Sequence, residues 1–552
     1  MERLWFKKNK HSPNVSDIKK KQIGFISAIF IVIGSCIGSG IFLKSDSVLE
    51  NSWSSLPLAI STWIISAIAV IAMSLSLVEV SSKGSGNLSM IGWSKNFNNK
   101  IIYKACKNFM FYIYTPLTFF FMPLYVINAF QDSLGYFNVT NNFGTSCDFL
   151  IWTVIAILIS VWFIFTSGYS SKMGNIQNWI ITSVKFFPII ATIILGFVVA
   201  STQKLDITVK PNQPSSIVTS FKSLSPGIGM FVSFGAIFFA YDGFYYSSGI
   251  QTEMKEPKKA PIALLVGLII TTIIYLLIAV SMSIIGGELN ESFINKIKWL
   301  YGLIQLTIAI GILGIINGMA MWATRFSEDL IKSGELPMFY KFLNKLNTHK
   351  PIVGVVYTII PAIIALIIFP LIGGFAYVPY GYTNNDVSSY DGKGYYSMAK
   401  LLAFADLMGN WTSVIAFAFI VLAILGCLVK GKKDGGSNFK TKYFIPSAII
   451  AIILVGIGTI FQFIAPFADL FMMASPEILK NLDSQDIVSR AMTIVVLIIF
   501  IVMMIVPSIF DYDSKMMSKK ISVTIVTNEQ GLQVVKGYKS VSYTHLTLPT
   551  IA

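Results

Sequence analysis

Gly34-Ser35-Cys36-Ile37-Gly38-Ser39-Gly40-Ile41-Phe42 interrupts an otherwise apolar run that begins near Ile23. Gly34 to Gly40 hold three Gly and two Ser in seven positions. Each Gly costs about 1 kcal/mol against Ala in a helix. The surrounding run has the length of a bilayer-crossing helix, which needs about 20 apolar residues. In hydrocarbon, freed backbone N–H and C=O groups must find partners, so such a break survives only where protein or a cavity lines it. A helix broken at mid-membrane leaves two half-helix ends facing one point, one rich in N–H donors and the other in carbonyls.

The rest of the chain fits that reading. Of 552 residues, 54% are hydrophobic and only 12% charged, against about 25% charged in a soluble protein. The mean hydropathy is +0.68. Twelve apolar spans follow one another, near 22–43, 56–79, 108–130, 149–167, 176–200, 227–250, 261–284, 300–323, 352–376, 400–429, 443–467 and 488–509. The expectation is an all-α polytopic membrane protein with its N-terminus in the cytoplasm.

The net charge of +15 is explained by topology and does not indicate nucleic-acid binding. Lys19-Lys20-Lys21, Lys255–Lys259, Arg325–Lys350 and Lys430–Lys442 all fall in segments on the N-terminal side. Loop after loop obeys the positive-inside rule. Of the four cysteines, Cys36, Cys106, Cys147 and Cys427, Cys147 alone falls in an external loop, so no external disulfide is expected. No metal-ligand spacing, cofactor motif or phosphate-binding glycine loop appears, and His11, His349 and His545 lie in the N-terminal arm, a loop and the C-terminal end. An enzyme is not expected. The lipoprotein-like run from Lys19 to Cys36 precedes eleven further spans and reads better as the helix break. Residues 541–552, Val541 onward, read as the translation of a sequencing-library adapter, so the natural C-terminus is expected to differ.

Residues 1–21 form a basic cytoplasmic arm, 22–430 a core of spans 1–10, 431–510 spans 11 and 12, and 511–540 a cytoplasmic tail. Spans 1–5 and 6–10 make two groups, and the odd number inverts the second relative to the first. Span 6 carries Phe239-Ala240-Tyr241-Asp242-Gly243-Phe244, then Ser247-Ser248-Gly249. It is interrupted at the position corresponding to the span-1 break. Paired breaks in two inverted halves point to a 5+5 repeat with a solute site between the halves, as in secondary transporters. The Tyr-rich external stretch 377–399 reads either as a lid or as an interfacial aromatic belt.

Ile37 to Phe42 resembles the span-1 signature of the amino acid–polyamine–organocation superfamily of permeases. The match continues in Phe239 to Phe244 with Glu253 to Lys259, in Asn317-Gly318 and Ala323-Thr324-Arg325 with Gly334 to Pro337, and in Trp63, Glu79, Gly84 and Gly86. Together these cover roughly 20–430 in order. The resemblance implies the leucine-transporter-like inverted-repeat fold and an amino acid permease, working by proton symport or by exchange. Polyamine or organocation transport on the same fold, or a non-transporting sensor or subunit, are the alternatives.

The chemistry expected at the site follows from the breaks. Free amides near Ser39 and Gly40 suit a carboxylate, and carbonyls ending near Ile37 and Gly38 suit an ammonium. One break thus holds both ends of an α-amino acid, although Gly34 and Gly38 also have helix-packing spacing. The resemblance implies that carbonyls at Phe239 and Ala240 receive the ammonium, and that Tyr241 or Phe244 closes over the side chain. Asp242 is an acid at membrane depth, a functional candidate by default, as solute contact, proton acceptor or helix cap. Lys185 lies about 14 Å along span 5 at 1.5 Å per residue, too deep for easy escape to the interface. With Asn178-Trp179 and Pro188 it resembles members whose lysine replaces the cation of sodium-driven relatives. It is expected either to couple protons or to brace spans 1, 5 and 8. Glu79 and Asp406 are possible gates at opposite ends. The partners expected are an amino acid and the lipid of a bacterial cytoplasmic membrane, with protons added under the symport alternative. The oligomeric state stays open.

Overall fold

The computed structural model describes residues 24–38, 40–82, 89–203, 220–245, 255–256, 259–285, 291–332, 335–336, 350–378, 393–433, 441–473, 484–508, 521–527 and 533–540. The arm 1–21, Ser39 and most of the Tyr-rich stretch lie outside the described residues. Ten described helices are long and apolar enough to cross a membrane, and two shorter apolar helices, Phe25–Gly34 and Pro226–Tyr241, mark spans 1 and 6. The protein is therefore a multi-pass, essentially all-helical membrane protein.

Span 1 consists of α1 (Phe25–Cys36) and α2 (Gly40–Asn51). Helix α3 (Leu56–Ser82) returns, followed by the short α4 (Ser89–Phe97). Span 3 is longer than the sequence suggests: α5 (Lys100–Asn108), a π-helical turn at Phe109–Tyr114 and α6 (Thr115–Tyr136) run on as one rod. Backbone hydrogen bonding continues past the apolar stretch because a helix can hold its own polar groups into the interface. The first half closes with α7 (Asp148–Tyr169) and α8 (Ser171–Gln203).

Span 6 begins with α9 (Pro226–Val232), started by a Ser225 hydroxyl that accepts from Ile228 N and by Pro226 in the first turn. It continues as α10 (Phe234–Tyr241) and stops at Asp242. Gly243 follows at φ +102°, a conformation that glycine adopts without strain. Helices α11 (Ala260–Ile285), α12 (Glu291–Lys332), α13 (Ile352–Leu371) and α14 (Lys393–Lys433) complete the second half. Helices α15 (Phe444–Met472) and α16 (Ser484–Ile505) form spans 11 and 12. The tail is not wholly coil. It contains an antiparallel pair, β1 (Ile521–Thr527) and β2 (Gln533–Ser540), which the helix-dominated pattern of the chain does not announce.

Contacts between helices sort the bundle into two ends. At the Ser82 end, Glu79 accepts from Thr441 N at 3.0 Å and Lys107 donates to Glu335 O at 2.8 Å. At the Asn51 end, Asp469 accepts from Phe221 N at 2.6 Å and Ser133 donates to Gly302 O at 2.8 Å. The lateral surface is apolar. Helix α7 buries Ala156, Ser160 and Ile164 and turns Leu158, Trp162 and Phe165 outward, as a helix with lipid on one side must.

Candidate solute-binding site

The two helix breaks meet at the centre of the bundle. A Cβ on Gly40 would lie 2.9 Å from Ala240 Cα, so α2 and α10 touch backbone to backbone and any larger residue would force them apart. The Tyr275 hydroxyl, from α11, stands 2.7 Å from Cys36 O and 2.8 Å from Ala240 O. One hydroxyl thereby serves a carbonyl freed by each break. A phenol has a single proton to donate, so each carbonyl keeps acceptor capacity. Tyr275 is itself fixed by Trp63 and Tyr241, with ring centroids 5.8 Å and 5.0 Å away.

Below this junction lies a cavity of about 410 Å³, running between α8 and α12 toward the Ser82 end. Of the residues expected at the site, Ile37, Gly38, Gly40, Phe239, Ala240, Asp242 and Lys185 line it, and Ser39 lies outside the described residues. Tyr241 and Phe244 do not line it. Tyr241 points the other way, its hydroxyl 2.8 Å from Thr272 Oγ1, and Phe244 packs edge-on to Phe417. Adjacent residues on a helix point about 100° apart, so with Ala240 facing the cavity Tyr241 turns into the packing. The wall contributed by α12 mixes Gly311, Gly314 and Gly318 with the side chains of Ile315, Met319 and Trp322, the last stacked on Phe326 at 4.4 Å; of the three glycines Gly318 alone faces open space.

Asp242 accepts from the Tyr114 hydroxyl at 2.8 Å and from Ser413 at 3.4 Å, both on Oδ2, while Oδ1 has no protein hydrogen bond. Tyr114 closes the π-helical turn of span 3, a distortion common at functional sites. Lys185 donates to Gly34 O at 3.2 Å. That carbonyl belongs to the last turn of α1, where the helix dipole favours a cation. Lys185 thus ties α8 to the end of α1 and shares the cavity with Gly311 of α12. Among the described residues, no group of three or more His, Cys, Asp or Glu stands close enough to hold a metal ion.

Toward the Asn51 end the cavity is closed. Lys44 of α2, fully buried, forms an ion pair with Asp406 of α14. Tyr125 joins them, accepting from Lys44 at 3.3 Å and donating to Asp406 at 3.1 Å, and the Lys44 ammonium lies 4.4 Å from the centre of the Phe239 ring. The motif reading found Asp406 and missed Lys44, Tyr125, Tyr114 and Tyr275. A charge inside Ile41-Phe42-Leu43-Lys44 was a legible signal; the tyrosines gave none. Glu79 is buried away from the cavity. It receives both Thr441 N and Thr441 Oγ1 and so anchors the approach to α15 to α3.

Comparison with known proteins identifies the family. A family model described as amino acid permease matches residues 23–470. An uncharacterised protein of Mycoplasma pneumoniae is 42% identical, over 89% of this chain and 94% of its own. The serine/threonine exchanger SteT of Bacillus subtilis is 24% identical, over 60% of this chain and 72% of its own. Among solved structures, a manganese transporter of Eremococcus coleocola aligns with a TM-score of 0.50 at 15% identity, over 88% of this chain and 94% of that one; this likeness shows the fold alone. With the helix breaks, the cavity between them and the match to the family model in hand, the chain belongs to the amino acid permease family.

Proposed function

We propose that the protein exchanges small neutral amino acids across a bacterial cytoplasmic membrane by alternating access. The meeting of the two helix breaks above a cavity carries the reading. Amides at the start of α2 suit a carboxylate, the remaining acceptor capacity of Cys36 O and Ala240 O suits an ammonium, and the open space beside Gly318 of α12 leaves room for a side chain. With the N-terminus in the cytoplasm, the Ser82 end faces inward. The cavity then opens inward, and Lys44, Asp406, Tyr125 and Phe239 form the shut outer gate. Lys185 braces α1 from α8, and release of its bond to Gly34 O would let α1 swing as the inner side closes. Exchange is preferred to symport because Lys185 is already engaged by a backbone acceptor at the end of α1, as a brace requires. The name of the Bacillus relative points the same way.

A second reading is favoured by one observation, the unpartnered Oδ1 of Asp242 at the cavity wall. A cationic side chain or a polyamine would satisfy it. Both readings are tested by reconstituting residues 1–540 in liposomes and measuring uptake of labelled L-serine, L-leucine, L-lysine and putrescine. Uptake of L-serine or L-leucine that requires amino acid preloaded inside supports exchange. Accumulation driven by a proton gradient into empty vesicles would replace exchange by symport. Uptake of L-lysine or putrescine alone would favour the Asp242 reading, and silence across the panel would sink transport altogether.

A further inference from the structure

Asp242 stands on the wall of the central cavity, yet its carboxylate is drawn into the packing behind that wall. Oδ2 is taken by hydroxyls from two other spans: Tyr114 of span 3 donates at 2.8 Å and Ser413 of α14 at 3.4 Å. The Tyr245 hydroxyl lies 3.3 Å from that of Tyr114 and is also within reach of Asp242. Tyr114, Tyr245 and Ser413 are all buried. Oδ1 is shielded from solvent and has no hydrogen-bond partner in the protein. Spans 3, 6 and 10 thus hold one oxygen of the acid firmly and leave the other unmet.

That pose is held against a cost. A buried acceptor without a partner forfeits its hydration, and such exceptions call for a functional reason. The hydroxyls on Oδ2 compensate, because hydrogen bonds to an ionised group are the strong ones. Freed of them, the carboxylate would gain by turning to the cavity, where both oxygens could be met. Tyr114 is placed to prevent this. It shares one face of span 3 with Thr118, Phe121 and Met122, at helical spacing, and all four line the cavity. The π-helical turn ends at Tyr114 and is itself pinned: the Thr115 hydroxyl donates to Met110 O at 2.8 Å and the Thr118 hydroxyl to Tyr114 O at 2.7 Å. The Tyr114 ring packs 6.0 Å from that of Phe109. Backbone and ring are both fixed, so the hydroxyl stays on Asp242.

We propose that Tyr114, supported by Ser413, sets the charge specificity of the solute site by holding the Asp242 carboxylate out of the cavity. The latched acid offers a solute neither an open oxygen nor an uncompensated charge, so amino acids with neutral side chains are taken and cationic ones refused. An unlatched Asp242 would turn inward and pair with a side-chain ammonium. Tyr114 acts through Asp242 and is a positioning residue. The proposal rests on the neutral amino acid reading above and names the contact behind it.

The test measures counterflow of labelled L-serine and L-lysine by the full chain in liposomes, and compares the ratio of kcat/KM for L-lysine to that for L-serine. Tyr114→Phe should raise the ratio about tenfold, the size of one hydrogen bond to a charged group. Ser413→Ala, which removes the longer contact, should raise it about threefold. In an Asp242→Asn background Tyr114→Phe should change the ratio by less than about twofold, as independent sites do, because no carboxylate is left to release. An unchanged ratio, an equal loss for both solutes, or the same rise in the Asp242→Asn background would overturn the proposal, since a merely structural Tyr114 or a direct contact with the solute gives those results. Should Tyr114→Phe fail to fold, Ser413→Ala decides alone. Should Asp242→Asn move too little solute, thermal stabilisation of the purified protein by each amino acid supplies the ratio. Wild type that moves L-lysine as readily as L-serine overturns the neutral reading and this proposal with it. Wild type selective for L-serine, with a ratio that neither variant moves, sinks the latch alone.

Discussion

Asp406→Asn should unlatch the outer gate, and the structure sets the size of the effect. Lys44 is fully buried and Asp406 is 30% exposed. Removing one partner of a buried ion pair costs about 3–5 kcal/mol, because the other charge is left uncompensated. Two features reduce that figure here. Asp406 is partly solvated, and Lys44 keeps the Tyr125 hydroxyl at 3.3 Å and the Phe239 ring face at 4.4 Å. About 2 kcal/mol is a reasonable residue of the penalty, and it falls on the closed state alone, since opening returns Lys44 to water. At 1.4 kcal/mol per tenfold, the closed-to-open ratio shifts by about 30-fold. The readout is the rate at which a membrane-impermeant maleimide modifies a cysteine placed at Ala403, which lines a smaller cavity at the Asn51 end. The background carries Cys147→Ser, because Cys147 is exposed. We expect 10- to 30-fold faster labelling in Asp406→Asn. The double variant Lys44→Met/Asp406→Asn should label within threefold of wild type, since replacing both charges leaves none buried alone. Unchanged labelling in the single variant, or faster labelling in the double than in the single, would refute the latch.

Further outcomes follow from other contacts. Tyr275→Phe removes the donor shared by Cys36 O and Ala240 O; an unsatisfied buried group costs about 1–3 kcal/mol, so the unfolding midpoint of purified protein should fall, and an unchanged midpoint would show that the hydroxyl is idle. Gly40→Val drives a side chain into Ala240 and should abolish L-serine binding. Gly318→Ala meets open space and should fold normally while weakening larger amino acids more than L-serine, by up to about 1–3 kcal/mol per methylene-sized clash; equal effects on both solutes would place α12 away from the side chain. At Glu335, in the loop after α12, burial alone would raise the carboxyl, but the Tyr103 hydroxyl, the Lys107 ammonium and Lys95 outweigh it and hold it below the ordinary carboxylate range. A carboxyl depressed in the folded state stabilises at neutral pH and loses that contribution as pH falls through the folded value. Thermal unfolding followed from pH 7 to pH 3 should show an acid-side loss that Glu335→Gln lacks, and identical profiles would remove the tether from the account.

Much of this protein was legible in its sequence. The number of spans followed from apolar length, because in lipid a helix must satisfy its own backbone. The breaks followed from glycine and serine where a helix former was required, and their placement at the start of each five-span group gave the inverted repeat. Lys185 and Asp242 stood out because charge at membrane depth is costly enough to need a reason. These are local properties, written in residue type and spacing. The rotation of each side chain about its helix is not local, so only the tertiary structure showed that Ala240 faces the cavity while Tyr241 and Phe244 face away. The same holds for partners distant in sequence. Lys44 meets Asp406 across 362 positions, and Tyr275 meets Cys36 across 239. Such pairs carry no spacing signal, since the packing angle of two helices decides which of many polar side chains come within hydrogen-bond reach. The smaller cavity at the Asn51 end is the extreme case: α14, α15 and α16 supply Asp406, Gln462 and Arg490, which read as ordinary span positions, and three-dimensional packing alone brings them to one lining.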